Sequence, residues 1–345
     1  MRYYAGLDVA LKETFMCIVD ETGKRVFESK AATNPQALYK ELTKSGISLE
    51  KVGLEAGSLS KFLTKGLQDL GLNAICIDAR KMAAILSVTI NKTDKNDARG
   101  IADAMRCNHY KKVNLRNCED NSISIFLNSR SLLVENRVRL KNTIRGFLKT
   151  YGLCFGEISH DKFSKAVYEI LSNLSTETIY GIESLLTNYD LINEQIKKLD
   201  KQLNELCKQN EEVQRFMEIP GVGMVVAMTY RADMGNPTRF EKSESVGAYY
   251  GMTPRQYSSG EKIKMGRVSK CGSKNMRTLL IEAATVMLTR SKIWSSLKAW
   301  GLKLMKKQGL KKAAMAVGRK LSVIMHRMLI SGENFRFNNN EQTAS

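Results

Sequence analysis

Asp94 and Asp97 stand three residues apart in the run Asn91-Lys92-Thr93-Asp94-Lys95-Asn96-Asp97-Ala98. If a helix starts there, both carboxylates fall on one face of its first turn. That geometry can hold a divalent cation. Lys92, Lys95 and Arg99 surround the pair, so it is not an acidic surface patch. The same spacing also occurs on ordinary solvated helices and does not choose between the readings. Two earlier carboxylates strengthen the metal reading. Asp8 lies inside the apolar segment Tyr3 to Ala10, and burying a lone carboxylate is costly unless something compensates it. A metal ion would do so, and so would backbone hydrogen bonds at a sheet edge. Glu55 follows the short run Lys51 to Leu54 and reads either as a ligand or as a loop carboxylate.

A second stretch offers a nucleophile. Gly247 to Pro254 is followed by Arg255-Gln256-Tyr257-Ser258-Ser259-Gly260, then by Lys262, Lys264, Arg267, Lys270, Lys274 and Arg277. A serine before glycine is commonly a turn residue. In so basic a segment its hydroxyl can also attack a phosphodiester, with the cations stabilising the charge that develops. Alternatively the cations simply grip a phosphate backbone. Upstream, Ile219-Pro220-Gly221-Val222-Gly223 resembles the turn of a helix-hairpin-helix. Gly221 and Gly223 there expose backbone N–H groups able to meet a phosphate. A tight helix–helix turn without a ligand is the plainer reading.

The elements that must position these groups follow from periodicity and turn chemistry. Strands are expected over 3–10, 14–19, 25–29, 51–54 and 73–77. Helices are expected from Asn34-Pro35 to about Lys44, with Asn34 as cap, over 59–70, from Arg80, and from Asp94 to about His109. Strands alternating with helices after an antiparallel meander predict a mixed sheet covered on its faces, as in ribonuclease-H-like domains. Ligands gather beyond the carboxyl ends of such strands, where Asp8, Glu55, Asp94 and Asp97 could meet. Asp103, farther along that last helix, reads as solvent-facing or paired.

A long helix is expected over 119–151, a break over 152–159 and a weakly patterned helical stretch over 160–181. Leu185, Tyr189, Ile192, Ile196, Leu199, Leu203 and Leu206 alternate at spacings of four and three, a coiled-coil seam. An antiparallel hairpin with 119–151 and a coil joining two subunits both fit, and the subunit-joining coil is preferred. Helices over 276–291 and 310–329 should pack around Trp294 and Trp300, and a disordered polar tail is expected from about Ser331.

Composition narrows the class. The chain has 345 residues and a net charge of +19, distributed as +3 over 1–110, +1 over 111–214 and +15 over 215–345. So basic a C-terminal third points to a polyanion, nucleic acid before a membrane surface. No apolar run is long enough to span a bilayer, and no signal peptide is expected. The seven scattered Cys read as buried thiols of a reducing cytoplasm. His109, His160 and His326 are too far apart in sequence to suggest a shared metal.

Taken together, the motifs resemble the bacterial insertion-sequence transposases with a DEDD motif, a family that includes the pilin-gene DNA invertases. The resemblance rests on Gly6-Leu7-Asp8-Val9, Leu54-Glu55-Ala56, Lys92 to Ala98, Ile219 to Gly223, Gly251 to Pro254, Ser259-Gly260 and Gly266 to Lys270. It implies a RuvC-like domain over 1–110 whose quartet Asp8, Glu55, Asp94 and Asp97 binds Mg2+ or, in its place, Mn2+. It implies a helical linker and coiled coil over 111–214, a C-terminal transposase domain over 215–331 and a disordered tail over 332–345. Ser259 matches the family's nucleophile, favoured over Ser258 by the four-residue gap after Pro254. The nucleic-acid contacts expected are Gly221, Gly223, Arg255, Lys262, Lys264, Arg267, Lys270, Lys274 and Arg277. The partners implied are donor and target DNA, a structured bridge RNA, and further copies of the chain in a homodimer or homotetramer with composite active sites. The implied location is the bacterial cytoplasm and nucleoid. Cys271 stands where the family commonly has a basic residue. A metal-only nuclease or junction resolvase, an RNA-independent invertase and a silent binding scaffold are the alternatives.

Overall fold

The structure is a computed structural model and describes residues 1–87, 93–259 and 262–337. The chain divides into two compact units, Met1–Arg116 and Asn117–Ser345. No helix among the described residues is long and apolar enough to cross a membrane.

The first unit follows the expected order. Strands β1 (Tyr3–Val9), β2 (Glu13–Asp20) and β3 (Arg25–Ala32) form the meander. Helix α1 (Pro35–Thr43) starts where Asn34 accepts from the Ala37 N–H, at 2.8 Å, and Pro35 occupies the first turn. Then come β4 (Leu49–Glu55), α2 (Ser60–Asp69), β5 (Ala74–Ile77), α3 (Ala79–Leu86) and α4 (Asp94–Arg106). The strand order is β3-β2-β1-β4-β5, with β1–β4 and β4–β5 parallel and the other pairs antiparallel. This is the mixed sheet of the RuvC-like, ribonuclease-H-like fold. Period-two alternation gives the sheet two apolar faces. Ala5, Leu7, Val52 and Leu54 pack on one side with Leu38, Leu42, Leu63 and Leu67. Tyr4, Phe15, Cys17 and Ile75 pack on the other with Ile101, Ala102 and Met105 of α4.

Two glycines set the depth of α4. Gly6 and Gly53 are register partners in adjacent parallel strands. A Cβ at Gly6 would stand 2.1 Å from the Ala98 carbonyl oxygen, and one at Gly53 would stand 2.7 Å from Met105 Cγ. The helix backbone therefore rests directly on the sheet.

The second unit begins with α5 (Cys118–Thr150). Residues 160–173 break into two 3-10 turns around the short α6 (Phe163–Tyr168), and α7 (Thr176–Lys208) follows. The weakly patterned stretch is thus not one helix. α5 and α7 pair antiparallel within the chain: Arg130 Nε donates to Asp200 at 2.5 Å, Arg137 Nη1 to Asn193 at 2.8 Å, and Tyr151 meets Thr178 at 2.9 Å. The seam is rotated from the expected one. Ile182, Leu186, Tyr189, Asn193, Ile196, Leu203 and Cys207 are buried, while Leu185, Ile192, Leu199 and Leu206 lie half-buried at its margin. Asn193 takes a seam position because its amide is satisfied on both sides, by Arg137 and by Asp161 at 3.0 Å.

Helix α8 (Glu211–Met217), the Pro-Gly turn, α9 (Met224–Met234) and α10 (Ser245–Tyr249) lead to a two-stranded ribbon, β6 (Pro254–Ser259) and β7 (Lys262–Val268). Helices α11 (Lys274–Thr289), α12 (Ser296–Gln308) and α13 (Leu310–Ser331) complete a core that includes Tyr230, Tyr250, Leu280, Met287, Val317 and Leu321. Several expectations change here. Trp294 is 59 % exposed, since its loop leaves the core before α12 begins, and only Trp300 packs against the core. The tail is docked as far as residue 337: Phe335 is buried, and the Ser296 N–H donates to the Phe337 carbonyl at 2.9 Å. The rest of the expected disordered tail, 338–345, lies outside the described residues. Of the seven thiols only Cys17, Cys76 and Cys207 are buried, because Cys107, Cys118, Cys154 and Cys271 fall at helix ends and loops; none is in a disulfide.

Candidate active site

Asp8 is the last residue but one of β1 and Glu55 the last of the adjacent parallel β4: Leu7 pairs with Leu54, so the two carboxylates occupy neighbouring positions beyond that pair. Strand alternation puts Asp8 on the face of Tyr4 and Gly6, and Glu55 on that of Gly53, the face on which α4 lies. The helix runs antiparallel to β1. Its Arg106 end meets the turn glycine Gly23, and Lys95 of its first turn lies 6.0 Å from the ring of Phe15, the register partner of Asp8. Asp94 and Asp97 are therefore carried to the same end of the sheet as Asp8 and Glu55. Thr93 caps α4 by accepting from the Asn96 N–H at 3.3 Å, and the two acids suit the positive end of the helix dipole. Asp94 is exposed and the other three are half-buried. Asp103 pairs with Arg106 at 3.1 Å, as a non-ligand should.

Four carboxylates at one sheet end are the hard oxygen donors that Mg2+ takes, usually one or two at a time with water completing the shell. Among the described residues, no three His, Cys, Asp or Glu are grouped closely enough to hold an ion as they stand. The donor chemistry of the four carboxylates fits such an ion. Lys92 lies outside the described residues.

The serine segment is built differently. In the ribbon, residue 259 pairs with 262, Ser258 with Ile263 and Tyr257 with Lys264. Ser259 and Lys262 are described only as these paired strand positions, and Gly260 and Glu261 lie outside the described residues. Ser258 accepts from Gln256 Nε2 at 2.9 Å. Arg255, Tyr257, Lys264, Met265 and Arg267 are all exposed, so the ribbon buries little side-chain surface. A lone two-stranded ribbon is marginal in water, and this one is secured at its base. The Ser269 N–H donates to Thr253 at 2.9 Å and the Lys270 N–H to Gly251 at 3.1 Å. Gly251 and Gly272 have φ of +66° and +81°, and a Cβ on either would fall within about 2.1 Å of a carbonyl of the opposite loop.

Arg277 belongs to that anchorage. It is 9 % exposed, and its Nη1 donates to the carbonyls of Tyr250 at 2.9 Å and Cys271 at 3.2 Å. Its expected place in a nucleic-acid contact set gives way to a structural one, since the guanidinium is turned into the protein. Gly221 is also occupied by packing: its φ is +88°, and a Cβ there would lie 2.3 Å from the Ala283 carbonyl of α11. Gly223, the exposed N-cap of α9, has open space beside it. Arg255 reaches the Ser269 carbonyl at 3.4 Å, and Lys270 and Lys274 are exposed.

Two family models match the chain, one for DEDD transposases of the IS110 type over residues 5–153 and one for the IS116/IS110/IS902 transposases over residues 213–299. The chain is 29 % identical over 340 residues to the transposase for insertion sequence element IS1111A of Coxiella burnetii, covering 96 % of this chain and 90 % of that one. It is 28 % identical over 255 residues to a putative transposase of Sinorhizobium fredii, covering 71 % and 64 % of the two chains. To the transposase for IS1328 of Yersinia enterocolitica it is 27 % identical over 245 residues, covering 69 % and 71 %. With the RuvC-like sheet in one matched region and the ribbon in the other, the chain belongs to the IS116/IS110/IS902 family of transposases, enzymes that recombine DNA.

Proposed function

We propose that the protein breaks and rejoins DNA at specific sites by a serine mechanism, with Asp8, Glu55, Asp94 and Asp97 holding Mg2+ and Ser259 as nucleophile. The observation that carries this reading is the delivery of all four carboxylates to one sheet end, two by strand register and two by a helix seated on Gly6. The ion, when bound, would neutralise charge on a phosphate. The serine Oγ–P bond forms as the P–O bond to the leaving deoxyribose breaks, and the hydroxyl proton leaves with the departing oxygen. The reverse attack rejoins the strand. The four-residue gap after Pro254 favours Ser259 over Ser258. The substrates are donor and target DNA, and the basic C-terminal third suits a structured bridge RNA that delegates sequence reading to base pairing. The working form is a homodimer or homotetramer in the bacterial cytoplasm.

The test uses purified protein, Mg2+ and labelled DNA carrying the element ends, with and without RNA transcribed from those ends. A denaturation-resistant protein–DNA adduct that is lost in Ser259→Ala is expected. An adduct formed without RNA would identify an RNA-independent invertase. Cleavage without an adduct would replace the serine mechanism with a metal-only nuclease or junction resolvase.

A further inference from the structure

Between Glu282 and Glu333 the chain carries 11 Lys and Arg and no Asp or Glu. Solvated helices ordinarily interleave acids with bases at spacings of three and four, which adds support and limits self-repulsion. Here that support is absent over two whole helices, α12 and α13, which join at Gly309. Lys306, Lys307, Lys311 and Lys312 crowd around that turn, and all four are exposed. None of them has an ion-pair partner among the described residues, unlike Arg327 and Arg336 farther along, which pair with Glu244 and Glu333.

The charge continues down α13 as a stripe. At 3.6 residues per turn, Lys312, Arg319, Lys320 and Arg327 fall within a sector of about 100° and span about 22 Å of helix. All four are exposed, while Ala316 and Val323 between them are half-buried. Its C-terminal part borders a cavity of about 630 Å³ lined by Glu244, Trp300, Arg319, Lys320, Arg327 and Arg336. Lys320 Nζ lies 4.0 Å from the Trp300 ring, so that indole is covered by a cation and not offered to a base. The turn itself carries no aromatic residue. Single-strand binders interleave cations with stacking platforms, and the four lysines at this turn present point charges alone. That chemistry suits the regular phosphate array of a duplex, roughly one charge per 1.7 Å of axis.

We infer that the α12–α13 hairpin is a second DNA-contact surface, separate from the β6–β7 ribbon, which grips the phosphate backbone of duplex DNA through Lys306, Lys307, Lys311 and Lys312. The inference rests on the chain acting on DNA, and not on the serine or the metal. The surface reads no sequence. It holds a duplex in place while the ribbon and the carboxylate end do the chemistry.

The test is equilibrium binding of the full chain to a labelled duplex of arbitrary sequence over a salt series, without Mg2+. The variant K306Q/K307Q/K311Q/K312Q is compared with K24Q/K30Q/K40Q/K65Q, which removes the same charge from exposed positions of the first unit. The slope of log affinity against log salt should fall by about 3 to 4 in the hairpin variant, at roughly 0.9 for each phosphate that is no longer neutralised. It should change by less than about 1 in the control, and thermal melts of both should match the parent. An unchanged slope in the hairpin variant would overturn the inference. An equal fall in both would overturn it too, because the net charge and not this surface would then be responsible. Loss of binding to RNA with duplex binding intact would assign the surface to RNA instead. Binding is read without cleavage, so failure of the Ser259 assignment leaves this readout unaffected.

Discussion

The two regions proposed to carry the chemistry are held in opposite ways. The carboxylate end is set by the interior: strand register fixes Asp8 beside Glu55, and a helix backbone lying on Gly6 fixes Asp94 and Asp97. Among its described residues the serine ribbon has almost no interior and is fixed at its base, by two left-handed glycines and the carbonyl bonds of Arg277. Damage to the first region should therefore appear as lost stability. Damage to the second should appear as lost activity in a protein that still folds.

Gly6→Val tests the first half of that contrast and has the largest expected effect. Its side chain would collide with the Ala98 carbonyl, and overpacking of this kind costs on the order of 3 kcal/mol. Calorimetry should show the first unit melting early or not folding, and a melt like the parent's would break the contrast. Gly251→Ala tests the second half. It should lower adduct formation at least tenfold through the displaced ribbon, with the helical core still melting cooperatively; normal adduct yield would show that the ribbon needs no fixed base. Arg277→Lys is milder, removing carbonyl bonds that contribute about 2 kcal/mol together. Adduct formation should slow with duplex affinity unchanged, and a parallel fall in affinity would return Arg277 to the contact surface.

Mg2+ at ten times its dissociation constant should stabilise the parent by about 1.4 kcal/mol. It should do nothing for Asp8→Asn, and equal shifts in a melt would mean the ion binds elsewhere. The smallest effect concerns His160, which is bonded to Tyr189 at 2.9 Å and whose pKa is lowered by burial, then by Arg137 and Lys141. The folded state prefers the neutral ring, so stability is full above the unfolded pKa of about 6.5 and declines as pH falls through the folded value. His160→Gln should flatten that decline in a pH series of melts. An unchanged series would show that the group does not contribute.

The first unit was largely legible because its signals are local: the Asn34-Pro35 start, the turn at 20–24 and the apolar strands with Asp8 and Glu55 at their ends. The rotated α7 seam was not, since a repeat counted from apolar residues passes over Asn193, whose burial depends on Arg137 and Asp161. Pairing of that seam with α5 inside one chain also needed the tertiary contacts. The β6–β7 ribbon was missed because its exposed faces carry no apolar alternation. Arg277 looked like its neighbouring cations for want of any sign that it points inward. The acid-free span 283–332 and its alignment along the helix expected over 310–329 were readable in the sequence, but that its cations face solvent emerged only with the structure.

The sequence by itself determined the residue types of the proposed site, most elements of the first unit and the basic charge that suits a polyanion, because those follow from residue type, local turn chemistry and charge. Only the tertiary structure decided which glycines are seats and which are open turns, and which cations face solvent. It alone brought helix and strand carboxylates to a common sheet end. Each of those outcomes depends on what lies across a gap of a few ångströms from residues distant in the chain.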